Sequence, residues 1–163
     1  MSGPGEWVLL AYRLPREPST PRVTIWRKLS RLGAVQLLDG LVGLPADART
    51  KEQLEWLADE VIEAGGEATI WVGRPGSAQQ ERAIAQRMAD AVADVYRSVA
   101  ADAEEALLSG EGPALRRTAG RLRRELRRVE AQDFFPPPER EMARRAVERL
   151  GATIDVESTA VER

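Results

Sequence analysis

The sequence predicts an α+β protein in which a β-α-β-β-α-β core is followed by an α-helical C-terminal arm. The first half of the chain alternates short apolar runs with amphipathic helical stretches, and Gly and Pro separate these segments. From residue 77 onward the pattern is predominantly helical. With 163 residues, of which 43% are hydrophobic and 31% charged, the composition is typical of a soluble globular protein.

The core is defined by four apolar runs and two helical patterns. Strands are expected at residues 7–12, 34–38, 41–44 and 68–72, with an Asp-Gly hairpin turn between the second and the third. Helices are expected from Pro21 to Gly33 and from about Thr50 to Gly65, since Pro favours a helix start and Gly a helix end. This order predicts a ferredoxin-like domain over residues 6–75.

The arm is expected over residues 77–150. Its helices are predicted at residues 77–108, 114–131 and 139–150, with Gly151 ending the last one. Residues 151–163 are expected to form a poorly ordered tail, and a short strand over residues 152–156 is the alternative for part of it.

The composition excludes several function classes. The chain has no His and no Cys, which are the usual ligands of zinc, copper and haem, and His is the commonest general base. We therefore expect no metal site, no cofactor and no catalysis, with carboxylates holding Mg²⁺ as the remaining enzymatic alternative. No signal peptide and no run of 18 apolar residues is present, so a cytoplasmic protein that does not contact membranes is expected.

Two basic segments flank an acidic one. Residues 1–33 carry 6 basic and 2 acidic groups, residues 34–112 carry 6 and 15, and residues 113–150 carry 11 and 6. This asymmetry permits a basic surface for anions or nucleic acid. The alternative is that the segments neutralise one another within the fold.

The first group of candidate anion-binding residues surrounds the end of the first strand and the helix after it. It consists of Arg13, Arg16, Arg22 and Arg27. Their guanidinium groups match the geometry of phosphate and other oxyanions. For Arg13 the alternative is an ion pair with an acid of the middle segment.

The second group lies in the predicted helix 114–131, which contains seven arginines between positions 116 and 128. Its candidate DNA-binding residues are Arg117, Arg121, Arg124 and Arg128. The alternative is a hairpin in which the acidic helix before it neutralises these charges. No sequence-reading motif and no aromatic residue is present in this helix, so its arginine pattern is not a specific signal of DNA binding. Elsewhere, Trp56 lies off the apolar stripe of its helix and marks either a dimer contact or a partly covered surface.

Three segments carry a resemblance to a known family. WVLLAYRLPREPSTPRVTIWRKLSRLGAVQLLDGLVGLP, LEWLADEVIEAGGEATIW and DFFP resemble the N-terminal domain of ChrB, a regulator family associated with bacterial chromate resistance, over roughly residues 6–150. The core also resembles the central domain of PaaX-type repressors and small CRISPR-associated nucleases. Those nucleases place a metal-binding Asp at the end of the first strand, where this chain has Tyr12 or Arg13, so nuclease activity is disfavoured.

The resemblance implies a non-enzymatic regulatory module that acts on chromate or oxyanion resistance by binding DNA or a partner, as a homodimer. The first alternative is a sensor of chromate or sulfate that does not bind DNA, and the second is a divergent metal-dependent nuclease. ChrB proteins continue into a C-terminal domain and PaaX-type repressors carry a winged helix. Neither is found in this sequence, so a stand-alone module or a fragment is expected.

Overall fold

The computed structural model describes residues 5–161, with side chains described through Val156. In chain order its elements are β1 (Trp7–Arg13), α1 (Thr20–Leu32), β2 (Val35–Leu38), β3 (Leu41–Pro45), α2 (Ala48–Glu63), β4 (Glu67–Gly73), α3 (Ala78–Ser109), α4 (Gly112–Ala131) and α5 (Glu139–Val161). The α+β class and the predicted order of elements are thereby confirmed. Within this described part, none of the helices combines the length and the apolar composition that a membrane crossing requires.

The chain divides into two compact units inside α3. The first unit reaches to Met88 and the second begins at Ala89, whereas the boundary predicted from the sequence lies between residues 75 and 77. The first turns of α3 contact the sheet of the first unit. Trp7 donates a hydrogen bond through Nε1 to Oε1 of Glu81 at 3.2 Å, and Arg87 donates to the carbonyl oxygen of Gln36.

The first unit is built on a four-stranded sheet of order β2-β3-β1-β4, in which all neighbours are antiparallel. Leu9 on β1 lies opposite Gly43 on β3 and Trp71 on β4. Helix α2 packs against β1 and β4 and neighbours α1. The core of this unit includes Val8, Leu10, Ile25, Leu29, Leu44, Leu54 and Val61.

The start of α2 is set by a reciprocal cap. Asp47 accepts a hydrogen bond from the backbone N–H of Thr50 at 2.7 Å, and the Thr50 hydroxyl accepts one from the backbone N–H of Asp47 at 3.0 Å. Such a capping box satisfies two backbone donors that the helix leaves without partners. The helix therefore begins at Ala48, two residues before the predicted start, and Thr50 is its third residue.

The second unit consists of α3 from Ala89 onward, α4 and α5. These helices share one buried cluster, which is formed by Val92, Tyr96, Val99, Ala100, Ala103, Leu115, Ala119, Leu122, Val129, Ala143, Ala146, Val147 and Leu150. Helices α3 and α4 are joined by a short turn at residues 110 and 111. The helical arm predicted from the leucine and alanine spacing is thus present as a helical bundle.

The last helix runs on through Gly151 to Val161, so the predicted helix end at Gly151 and the alternative strand over residues 152–156 are both wrong. Gly151 instead allows the side chain of Arg123 to approach the backbone of α5 closely. A Cβ atom at this position would lie 2.5 Å from a terminal guanidinium nitrogen of Arg123 on α4. The tail predicted over residues 151–163 is helical to Val161, and residues 162–163 lie outside the described part.

A buried polar cluster fixes the segment that joins α4 to α5. Tyr96 donates a hydrogen bond from its hydroxyl to Oδ2 of Asp133 at 2.8 Å, and the Asp133 side chain is fully buried. A terminal nitrogen of Arg140 lies 3.9 Å from the same oxygen. Burial, followed by the hydrogen bond to Asp133, raises the pKa of Tyr96 above its usual value.

Truncation of the buried cluster tests the second unit. We expect Leu122→Ala to lower the free energy of unfolding by about 2–5 kcal/mol, because it removes a fully buried side chain and leaves a cavity. The matched control is Leu108→Ala, at a leucine that is 89% exposed, where the change should stay within about 0.5 kcal/mol. Urea unfolding followed by circular dichroism measures both, and equal losses would contradict the assigned core.

The Tyr96 hydroxyl gives a pH-dependent test. Its pKa in the folded state is raised, so the folded chain keeps a proton that the unfolded chain loses near pH 10. The resulting stabilisation is complete below that pH and is lost as pH rises toward the folded pKa. We expect the urea midpoint of the wild type to fall between about pH 9 and pH 11 more steeply than that of Tyr96→Phe. Tyr12, whose pKa is also raised by burial, contributes equally to both proteins. Identical slopes for the two proteins would contradict this assignment.

Candidate nucleic-acid interface

Helix α4 is strongly amphipathic. It begins at Gly112, carries Pro113 in its first turn and ends at Ala131. Apolar side chains recur at intervals of four and three residues, which places them along one stripe of a helix. Four of them are buried in the cluster of the second unit and Leu126 packs against it, the set being Leu115, Ala119, Leu122, Leu126 and Val129.

The arginines of α4 occupy the opposite side of the helix. At 3.6 residues per turn the seven of them fall within an arc of about 160°, centred opposite the buried stripe. All seven are exposed: Arg116, Arg117, Arg121, Arg123, Arg124, Arg127 and Arg128. Together they cover about 18 Å of helix length. We call this surface the arginine face of α4.

Most of the arginine face has no acidic partner within the described part of the chain. Arg121 is the exception, with one ion pair to Asp102 of α3 at 3.0 Å and another to Glu125 at 3.3 Å. Arg123 lies over Gly151. No described carboxylate forms an ion pair with the other six members, which are Arg116, Arg117, Arg123, Arg124, Arg127 and Arg128.

The arginines of α5 and of the part of α3 in the second unit, unlike most of those on α4, form ion pairs. Each of the described arginines on α5 and on the part of α3 that belongs to this unit has an acid within ion-pair distance. These are Arg97 with Asp94 and Glu139, Arg140 with Glu130 and Asp133, Arg144 with Glu130, Arg145 with Glu141, and Arg149 with Glu104. The predicted neutralisation of α4 by the acidic α3 is therefore limited, among described residues, to the pair between Arg121 and Asp102.

The four candidates predicted from the sequence, Arg117, Arg121, Arg124 and Arg128, all lie on this face. Arg116, Arg123 and Arg127 lie within the same arc but are not among those candidates. Their helical spacing relative to the buried stripe is the signal that identifies them.

The first group of candidate residues, which surrounds the end of β1 and the start of α1, is less favourably arranged for binding an anion. Arg13 donates to Oε2 of Glu67 at 2.6 Å, across the pairing of β1 with β4. An ion pair of Arg13 with an acid of the middle segment is the alternative that the sequence left open. Both side chains are more than three-quarters exposed, so the pair contributes little to stability, but it occupies the Arg13 guanidinium.

Arg16, Arg22 and Arg27 are exposed, and no described carboxylate pairs with them. Arg22 lies close enough to Tyr12 to oppose the rise in the pKa of that hydroxyl, which burial causes. Arg22 and Arg27 are about 140° apart around α1, so they do not point to a common ligand from one face of the helix. Within the described residues, no group of three His, Cys, Asp or Glu side chains could hold a metal ion.

Comparison with known proteins gives a family and one curated relative. The family model described as Protein ChrB, N-terminal, matches residues 22–108, more than half of the chain, and ends before α4. Protein ChrB of Cupriavidus metallidurans is 29% identical over 158 residues, which cover 92% of this chain and 47% of that protein. The chain thus spans about half the length of this relative. No solved structure matches it significantly.

The matched region contains most of the β-α-β-β-α-β core, from α1 to the end of β4, and nearly all of α3. It includes many of the residues on which the resemblance in the sequence was based. The chain belongs to the family of ChrB N-terminal domains.

Proposed function

We propose that this chain is a non-enzymatic regulatory module of the ChrB type, that it functions in resistance to chromate or related oxyanions, and that it binds duplex DNA through the arginine face of α4. The observation that carries the DNA part is the set of six exposed arginines on α4 without a described acidic partner. The chromate part rests on membership of the ChrB family.

The electrostatics of α4 favour a polyanionic ligand. Its arginines include like-charged neighbours four residues apart, such as Arg124 and Arg128, and each such pair destabilises a helix by about 0.2–0.5 kcal/mol. Duplex DNA carries one negative charge per about 1.7 Å of its axis. A face about 18 Å long therefore meets roughly ten phosphates, enough to neutralise every guanidinium that lacks an acid.

The composition of α4 indicates which part of DNA it contacts. The helix has no aromatic residue, so it offers no platform on which unpaired bases stack. Guanidinium groups spread along one exposed face suit phosphate oxygens, which position a protein on DNA without reading its sequence. We expect this helix to supply affinity, and any operator preference to come from other parts of the regulator.

The two alternatives have weaker support. A metal-dependent nuclease would need a carboxylate cluster for its cation, and the described residues form none. An oxyanion sensor would use Arg16, Arg22 and Arg27, but Arg22 and Arg27 diverge around α1 and Arg13 is held by Glu67.

A homodimer is the remaining part of the proposal. Two tryptophans stand exposed on the helical layer of the first unit, Trp26 on α1 and Trp56 on α2, and Trp56 is 67% exposed. Large exposed aromatic side chains are enriched where proteins associate. Trp56 also borders an apolar hollow beside Leu32 and Leu57.

The DNA proposal predicts a salt-dependent interaction that the arginine face controls. In fluorescence-anisotropy titrations of a labelled duplex at several salt concentrations, the affinity of the wild type should fall steeply with salt. The variant Arg117→Gln/Arg124→Gln/Arg128→Gln should bind at least about tenfold more weakly, and its plot of log affinity against log salt should be shallower by about 3, because each phosphate contact contributes close to one unit of slope.

A matched control removes the same number of charges elsewhere. The variant Arg16→Gln/Arg22→Gln/Arg27→Gln should retain nearly the wild-type affinity and slope. Arg121→Gln should weaken binding less than Arg124→Gln, since Arg121 already contacts two acids. Absence of binding by the wild type at low salt, or equal losses from both triple variants, would rule out the arginine face. Chromate stabilisation that only the control triple loses would then favour the oxyanion sensor.

The dimer predicts a mass of about twice the 18.0 kDa of the chain in light scattering after size exclusion. Trp56→Ser should shift the mass toward the monomer because it removes exposed apolar area from the contact. Leu108→Ser, at an exposed leucine of the second unit, is the control and should leave the mass unchanged. A wild-type monomer at the highest concentration measured would contradict this part of the proposal.

A further inference from the structure

The sheet face of the first unit that carries Trp7, Leu9 and Trp71 holds an apolar groove. Its floor is formed by Leu9 on β1, Leu37 on β2 and Trp71 on β4, and the first turns of α3 bound it through Ala83 and Ile84. Trp71 is 60% exposed although it lies directly opposite Leu9 in the sheet. The cavity measures about 500 Å³, which is within the range of small-molecule sites.

Gly43 keeps this groove open on the side of β3. A Cβ atom at this position would lie 2.9 Å from a terminal methyl carbon of Leu9 and 3.9 Å from one of Leu37. Any larger residue would therefore force the Leu9 side chain, which lines the cavity, to shift. Gly43 on β3 thus leaves room for Leu9 and Leu37, which lie on the two strands that flank β3.

One cationic group stands at the rim. Arg74 follows β4 directly and lines the cavity, and its guanidinium carbon lies 3.7 Å from where a Cβ atom of Gly5 would be. It is exposed, and no described carboxylate forms an ion pair with it. Glu81, on the first turns of α3, accepts the hydrogen bond of Trp7. An apolar cavity with one such guanidinium complements a molecule that is apolar at one end and anionic at the other.

We propose that this groove binds a small amphipathic carboxylate with a flat apolar body, its ring system lying against Trp71 and Leu9 and its carboxylate paired with Arg74. The aromatic face of Trp71 suits a planar ring, and the guanidinium fork suits a carboxylate in a bidentate arrangement. This site is separate from the arginine face and is independent of whether that face binds DNA.

Equilibrium dialysis of the full chain against 2-naphthoate tests the site. We expect saturable binding of one molecule per chain, and binding at least about tenfold weaker for the uncharged 2-naphthamide and for Arg74→Gln, since each removes a charge-assisted contact. Trp71→Ala should weaken binding by about tenfold or more because it removes the stacking surface. The controls are Arg16→Gln and Leu108→Ala, at an arginine and a leucine that are exposed outside the groove, and both should bind as the wild type does.

Three outcomes would overturn the proposal. Absence of saturable binding would show that the groove takes no ligand of this class. Equal binding of 2-naphthoate and 2-naphthamide, unchanged in Arg74→Gln, would show apolar adsorption without recognition of the anion. A dimer in sedimentation velocity that Trp71→Ala dissociates would assign the groove to a second copy of the chain instead. Circular dichroism of each variant before dialysis confirms that the exposed substitutions leave the fold intact.

Discussion

The arginines of α4 face solvent because the apolar stripe on the other side of this helix is buried. Leu115, Ala119, Leu122 and Val129 lie in the cluster shared with α3 and α5, and removing such side chains from water is the main favourable term for a helix of this kind. Because the stripe and the arginines lie on opposite sides of the same helix, packing the first exposes the second. Like-charge repulsion along α4 is a much smaller term, so the bundle holds seven guanidiniums on its surface.

Ion pairing within the second unit explains why those guanidiniums remain available. Helix α3 presents its acids to two neighbours, and Glu104 contacts Arg149 of α5 while Asp102 contacts Arg121 of α4. Glu130 at the end of α4 forms an ion pair with Arg144. The acids of this unit thus pair mainly with α5. Net charge would not reveal this, since the whole chain carries only -2.

The elements of the fold could be predicted because each has a local cause. Apolar runs mark the strands, and leucine spacing together with Pro113 gave α4 nearly its observed limits. The remaining differences have non-local causes. Gly151 looks like a helix stop, yet it is the place where Arg123 of another helix crosses α5. Whether an arginine of α4 has an ion-pair partner also depends on which acids form ion pairs with a third helix. The groove beside Trp71 depends on the register between two strands that are far apart in sequence.

A surface composed only of guanidinium groups has a regulatory consequence. Arginine keeps its charge at any pH at which the protein is folded, and this chain has no histidine, whose ionisation changes near neutrality. If α4 binds DNA as proposed, its attraction for phosphate is therefore insensitive to the acidity of its surroundings. A signal that releases DNA would have to move or cover α4, or supply an anion that competes for it. Such a signal could not act by removing the positive charge of the arginines.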